Sequence, residues 1–364
     1  MRLLLWHWGR RGGGPRYTFE LARAFRQLPG IEPHLSLSRQ SELFAPSLAL
    51  GLPGHHVDTY TGAAEALRAS LRLPAIRAGF GRYVRAQGIE MVLCTMAHLW
   101  NLAISPRPAR YVLTVHDAEP HPGEASRLRD LAMRADVARA DHVIALTAHV
   151  KAALCRRFGT REARISVSSH GAFDYGAHAP APRAGAPLRL LFFGRILAYK
   201  GLDRLLAARA MLAAAGTPTE LTLAGQGDLS PHAGALADAR VINRWIGEDE
   251  IAAIFSAHDV LVQPYGEASQ SGVIAVACAA GMPAVVTPVG GLVEQVQHER
   301  SGLVAEAVSA EAIAAAIGRL AHDPALVARL GAGARAHAAD ALAWPAIATR
   351  LAEVLRAVRP GHAP

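Results

Sequence analysis

The stretch Leu188-Arg-Leu-Leu-Phe-Phe193-Gly194-Arg195-Ile-Leu-Ala-Tyr-Lys200-Gly201 decides how this chain folds. Six mostly apolar, β-prone residues stop at a glycine. A short loop then opens into a Leu/Ala/Arg-rich segment, as where a buried strand feeds a helix. Immediately upstream, residues 176–187 hold three prolines and no periodicity, which predicts a linker. The strand after it therefore begins a new domain.

The same rhythm runs outward in both directions. Upstream, strands are predicted at 3–8, 91–95, 111–115, 142–146 and 165–169, and downstream at 220–223, 260–263 and 284–287. Alternation of short apolar runs with longer Ala/Leu/Arg segments implies repeated βα units and parallel sheets. The division expected is residues 1–176, a linker at 177–187, a second domain at 188–340, and a closing helix and tail at 341–364. Ligands in such folds bind at the carboxyl ends of strands.

At 364 residues and 51% hydrophobic, the chain has material for two cores. Its 38 basic and 30 acidic residues leave a net charge of +8, which favours anionic partners. Only 6% of residues are aromatic, and no basic patch is interleaved with aromatics, so nucleic acid is not an expected partner. Cys94, Cys155 and Cys278 are widely spaced, which suits reduced thiols in a cytoplasmic protein. The apolar start, Met1–Trp8, is too short for a signal peptide, and no window has the ~18 unbroken apolar residues of a membrane span.

Several strand ends carry chemistry. Gly12-Gly13-Gly14 follows the first strand, where glycines either make a tight turn or let backbone amides approach a ligand. His116-Asp117 ends another strand. The histidine there can donate to a hydroxyl and the carboxylate can orient it, or either residue can cap a helix. The polar segment 118–124 after them suits the wall of an acceptor site. Arg195 and Lys200 offer a bidentate and a point charge to phosphate oxygens. Gly225, Gln226 and Ile246 are candidate walls for a base and ribose. In Gly266-Glu267-Ala-Ser269-Gln-Ser271-Gly272-Val273, Glu267 can hold sugar hydroxyls, and the amides of Ser271, Gly272 and Val273 can face a phosphate at a helix N-terminus.

Taken in order, these segments resemble the family 4 retaining glycosyltransferases. The closest matches are F-G-R-I-x-x-Y-K-G-L-D at 193–203, L-A-G-x-G at 223–227 and G-M-P-A-V-V-T-P-V-G-G-L-V-E at 281–294, with A-D-H-V-I-A-L-T at 140–147, S-S-H-G at 168–171 and S-G-L-V at 301–304. The resemblance implies an α/β GT-B fold: two Rossmann-like domains facing across a cleft, with the C-terminal helix crossing back to the first. It implies a nucleotide-diphosphate sugar donor as co-substrate, no further cofactor, and retention at the anomeric carbon. Arg195 and Lys200 would hold the diphosphate, Glu267 would match the first acid of the family's E-x7-E motif, and His116 would sit near the donor sugar. The second acid is missing: Ala275 stands eight residues after Glu267, and Val276 precedes the glycine-proline turn.

No Asp-X-Asp occurs, so metal-independent hexosyl transfer by front-face displacement is expected, with the departing diphosphate taking the acceptor proton. The alternative is an epimerase or hydrolase acting on the same nucleotide sugar. The acceptor expected is a glycan or lipid-linked glycan in cell-surface polysaccharide synthesis. Arg68, Arg72, Arg77, Arg82 and Arg85 among apolar residues at 63–87 suit either anionic headgroups at the inner membrane face or a solvated helix face.

Overall fold

In the computed structural model, residues 1–120, 126–181 and 185–358 are described. Residues 121–125, the end of the expected acceptor loop, lie outside them. Two compact units form: Met1–Pro120 with the chain to His170 and the helix from Trp344, and Gly171–Ala343.

The first unit holds a seven-stranded sheet in the order β3-β2-β1-β4-β5-β6-β7. Its strands are β1 (Arg2–His7), β2 (Glu32–Ser38), β3 (Gly54–Val57), β4 (Met91–Cys94), β5 (Arg110–Val115), β6 (His142–Ala145) and β7 (Ile165–Val167). The second unit holds six strands in the order β10-β9-β8-β11-β12-β13. These are β8 (Leu188–Phe193), β9 (Thr219–Ala224), β10 (Ala239–Ile242), β11 (Val260–Gln263), β12 (Ala284–Val286) and β13 (Gly302–Val304). Every pairing is parallel. Parallel strands are covered on both faces, which is why β1, β4, β8 and β11 read as mostly apolar runs.

The sequence reading missed β2, β3, β10 and β13. β2 and β3 are Glu-Pro-His-Leu-Ser-Leu-Ser and Gly-His-His-Val, too polar for a buried-strand pattern. Several of their polar side chains find tertiary partners: Ser38 meets Thr59 at 2.6 Å, and His34 Nδ1 meets the Tyr83 hydroxyl at 2.8 Å. β13 has only three residues.

The division between units also differs from the expected linker. It falls after His170, and the proline-rich segment packs on the second unit, where Ala179 N donates to Ala280 O and His178 N to Ser256 Oγ. The closing helix Trp344–Ala357 returns to the first unit, as the resemblance implies. It lies on helix Gly13–Phe25, with the Trp344 ring edge-on to Tyr17 at 5.4 Å, and Arg110 Nη1 donates to Val358 O. Cys94 and Cys278 are buried free thiols, each pushed up to about 12 by burial. No helix among the described residues is long and apolar enough to cross a membrane.

Candidate functional site

In the second unit, three loops leave the carboxyl edge of neighbouring strands β9, β8 and β11 and lock together through backbone. Gly194 sits at φ +112° and Gly225 at φ +145°, and a Cβ on Gly225 would lie 1.9 Å from Gly194 O. Neither a side chain nor an ordinary backbone fits there. Ile196 N donates to Gln226 O, Gly227 N to Asn243 Oδ1, and Asn243 Nδ2 returns a bond to Gly227 O. On the other side, Gly266 N donates to Tyr199 O at 2.6 Å, and a Cβ on Gly201 (φ +67°) would collide with Pro264 O.

This framework brings the cationic loop to a helix terminus. Lys200 Nζ donates to the Tyr265 hydroxyl at 2.7 Å and lies 4.4 Å from the centre of that ring. A Cβ built on Gly194 would be 3.6 Å from Lys200 Nζ and 3.8 Å from Val273 Cγ2. The ammonium and the first turn of helix Gly272–Ala280 therefore flank one space above Gly194. A helix N-terminus carries unsatisfied amides and roughly half a positive charge, so the arrangement favours an anion. Arg195 is exposed beside Gly194, and Glu267 is half-buried on the third loop.

One expectation for that third loop changes. Ser271 does not present a free amide: its N donates to Gln295 Oε1 at 2.7 Å, and Gln295 Nε2 donates back to Ser271 O at 3.1 Å. Gly272 and Val273 keep the first helical positions, and Ser269 is buried in the loop before them. Ile246 is buried just before the capped helix Glu248–Ser256, and Arg244 grips Glu250 beside it. Gln263, the last residue of β11, is buried with both amide atoms unpartnered among the described residues. Polarity at that place was not anticipated, and only burial makes it conspicuous.

The first unit carries the other expected residues, again at strand carboxyl ends. His116 is buried, and its Nε2 lies 2.8 Å from Thr95 O. A carbonyl accepts only from N–H, so Nε2 holds the proton and Nδ1 is the acceptor. The histidine expected to donate to a hydroxyl thus spends its N–H on the protein. Burial lowers its pKa, which keeps it neutral; the Thr95 bond and neighbouring Asp117 pull the other way. Tyr17 and His170 pack edge-on around it.

The glycine loop divides similarly. Nothing lies within 4 Å of a Cβ on Gly13, whereas on Gly14 it would meet His7 Cε1 at 2.7 Å and Met96 Sδ at 3.0 Å. Gly14 is required by the ring beneath it. His7, missed in the sequence, is fully buried, and neither ring nitrogen has a partner among the described residues. Gly12 N donates to Glu42 Oε1 at 2.7 Å.

Two parallel α/β units with strand-end loops that gather charge over glycine backbone define a GT-B architecture of the glycosyltransferase class. The model of glycosyltransferase family 4 matches residues 11–172, and that of glycosyl transferases group 1 matches residues 187–323. The chain belongs to this family, glycosyltransferase family 4 of group 1. D-inositol 3-phosphate glycosyltransferase of Streptomyces scabiei is 32% identical over 308 residues, covering 76% of this chain and 64% of that one. Glycogen synthase of Mycobacterium tuberculosis is 29% identical over 236 residues, covering 62% and 56%. The chain spans between 54% and 64% of the length of the inositol phosphate relatives from three Streptomyces species. Among solved structures, sucrose-phosphate synthase from Thermosynechococcus elongatus superimposes with a TM-score of 0.75 at 20% identity, covering 98% of both chains. HepE of Anabaena in complex with UDP-glucose gives 0.73 at 18%, covering 98% and 99%. At that identity they speak for the fold alone.

Proposed function

We propose that this protein is a retaining, metal-independent hexosyltransferase that moves a sugar from a nucleotide-diphosphate donor to a glycan or lipid-linked glycan in cell-surface polysaccharide synthesis. The observation that carries this reading is the space above Gly194, walled by Lys200 Nζ and the first turn of helix Gly272–Ala280. A diphosphate there meets a fixed cation and helix-end amides, with Arg195 at its rim. The UDP-glucose complex of HepE supports a UDP-sugar as the first donor to try.

In the reaction, the bond from the anomeric carbon to the diphosphate oxygen breaks while the acceptor oxygen bonds to the same face. The acceptor proton passes to the departing phosphate. Charge grows on that phosphate in the transition state, and prepositioned Lys200 and the helix amides stabilise it there. The Tyr265 bond holds Lys200 in place beforehand, so little reorganisation is needed. Glu267 binds donor hydroxyls. His116 keeps a neutral ring and turns a lone pair, not an N–H, to any hydroxyl near it. The protein works at the inner membrane face, in peripheral contact with anionic lipid, and needs no cofactor beyond the donor.

Thermal shift and turnover against a panel of UDP-, GDP- and ADP-sugars identify the donor. Lys200→Ala should cut turnover ~100- to 1,000-fold, as loss of one charge-directed donor does, with the unfolding temperature nearly unchanged. Wild-type turnover in Lys200→Ala would refute the site. Donor consumption with no acceptor-linked product would assign an epimerase or hydrolase instead.

A further inference from the structure

The four most exposed of the large apolar side chains are leucines of the first unit: Leu71 (82%), Leu67 (77%), Leu128 (63%) and Leu131 (62%), against 46% for the next, Leu48 and Val167. Leu99 and Leu102 are also exposed. These six come from helix Ala63–Ser70 with its cap Leu71, the 3-10 turn Leu99–Ala103 and helix Arg127–Arg139.

The three elements lie on one face of the sheet. Their inward residues Ala69, Trp100 and Val137 belong to a single core cluster with Val92 and Leu113. Trp100 Nε1 donates to Ser70 Oγ, and Asn101 Nδ2 to Asp136 Oδ2, so the turn bridges the two helices. With those side chains inward, the leucines stand on the outer surface. Scattered exposed leucines need no explanation, but a concentration on adjoining elements marks a contact surface.

The charge around them indicates the partner. Arg68, Arg72, Arg77, Arg82 and Arg85 are all exposed along this helix and the next, Leu73–Ala86, where the one acid is Glu65. Arg127, Arg129 and Arg134 are exposed on the third helix, whose acids are engaged: Asp130 with Arg157 and Asp136 with Arg139. Two copies meeting on this face would oppose arginine to arginine. An anionic bilayer offers what both features need, acyl chains for leucine and phosphates for arginine.

We propose that this leucine and arginine face docks the protein on anionic lipid bilayers. The leucines enter the headgroup boundary and the arginines meet lipid phosphates. Helix Arg127–Arg139 starts on the carboxyl side of β5, the edge that carries His116 and Asp117. A lipid-borne acceptor would thus present its headgroup beside those residues. That last step rests on the proposed transferase reading; the docking itself rests on the leucines and arginines alone.

The test is co-sedimentation of the full chain with phosphatidylcholine vesicles, with and without phosphatidylglycerol. Wild type should pellet only with the anionic vesicles and be released by salt. Leu67→Ser with Leu71→Ser, and Leu128→Ser with Leu131→Ser, should each weaken binding at least ~10-fold. Arg68→Ala with Arg72→Ala should weaken it ~5-fold per arginine. Val308→Ser, an exposed apolar residue of the second unit, should bind as wild type. Melting temperatures confirm that each variant folds. Failure of wild type to pellet, or unchanged binding in both serine pairs, would overturn the proposal. Leucine-dependent self-association without vesicle binding would overturn it in favour of a contact between copies. Transfer to a soluble acceptor by a chain that ignores vesicles would sink the docking face and leave the transferase; vesicle binding without transfer would do the reverse.

Discussion

Acid should destabilise this protein through histidines that the fold keeps neutral, and His7 allows the size to be worked out. Its ring is buried at the end of β1 under Gly9 and Gly14. Burial above all, then His116 and His98 nearby, lowers its pKa from 6.5 to about 3. The unfolded chain accepts a proton at pH 6.5 that the folded chain refuses until about pH 3. Stability from this group is therefore complete above 6.5 and is lost as pH falls toward 3. At about pH 5 the loss is about 2 kcal/mol, and its limit is about 5 kcal/mol, at ~1.4 kcal/mol per pH unit. His55 and His98, each lowered to about 4 chiefly by burial, act with the same sign. Together the three remove roughly 6 kcal/mol at about pH 5, comparable to the ~5–15 kcal/mol that holds a typical domain folded. Urea unfolding at neutral pH and at about pH 5 measures this. His7→Asn, which cannot titrate, should narrow the gap between the two conditions by about 2 kcal/mol. An equal gap in wild type and variant would refute the assignment of His7 as a buried neutral group.

Other consequences follow from the loops. Gly225→Ala drives a methyl group into Gly194 O and should abolish the thermal shift produced by donor nucleotide, with the glycine loops no longer in register. Gly13→Ala should be tolerated, but Gly14→Ala, which meets the His7 ring, should cost about 1–3 kcal/mol in urea unfolding. Gln295→Ala removes both bonds to Ser271 and should raise the donor KM several-fold while costing about 1–3 kcal/mol; an unchanged KM would mean that loop does not contact the donor.

Strand-and-glycine periodicity was sufficient for two parallel α/β units, because a strand covered on both faces must be largely apolar. Polar edge strands such as Gly-His-His-Val escaped notice, since their hydrogen-bond partners are far away in sequence. Arg195, Lys200 and Glu267 were legible as charges following strands, but their neighbours were not. Nothing local to Lys200 indicates that Tyr265, 65 residues on, holds its ammonium, or that Gln295 occupies the Ser271 amide.

The sequence by itself determined the alternation of strands and helices, the glycines at strand ends and the family, all of which depend on local pattern and spacing. Tertiary structure alone decided which donors are already spent, as with Ser271 and His116, and which glycine answers to a side chain beneath it, as Gly14 does to His7. It also brought the leucines of three separate segments onto one face of a sheet. The reason is physical. Backbone propensity and burial pattern act over a few residues, whereas hydrogen-bond satisfaction, close packing and surface charge depend on groups the fold brings together across the chain.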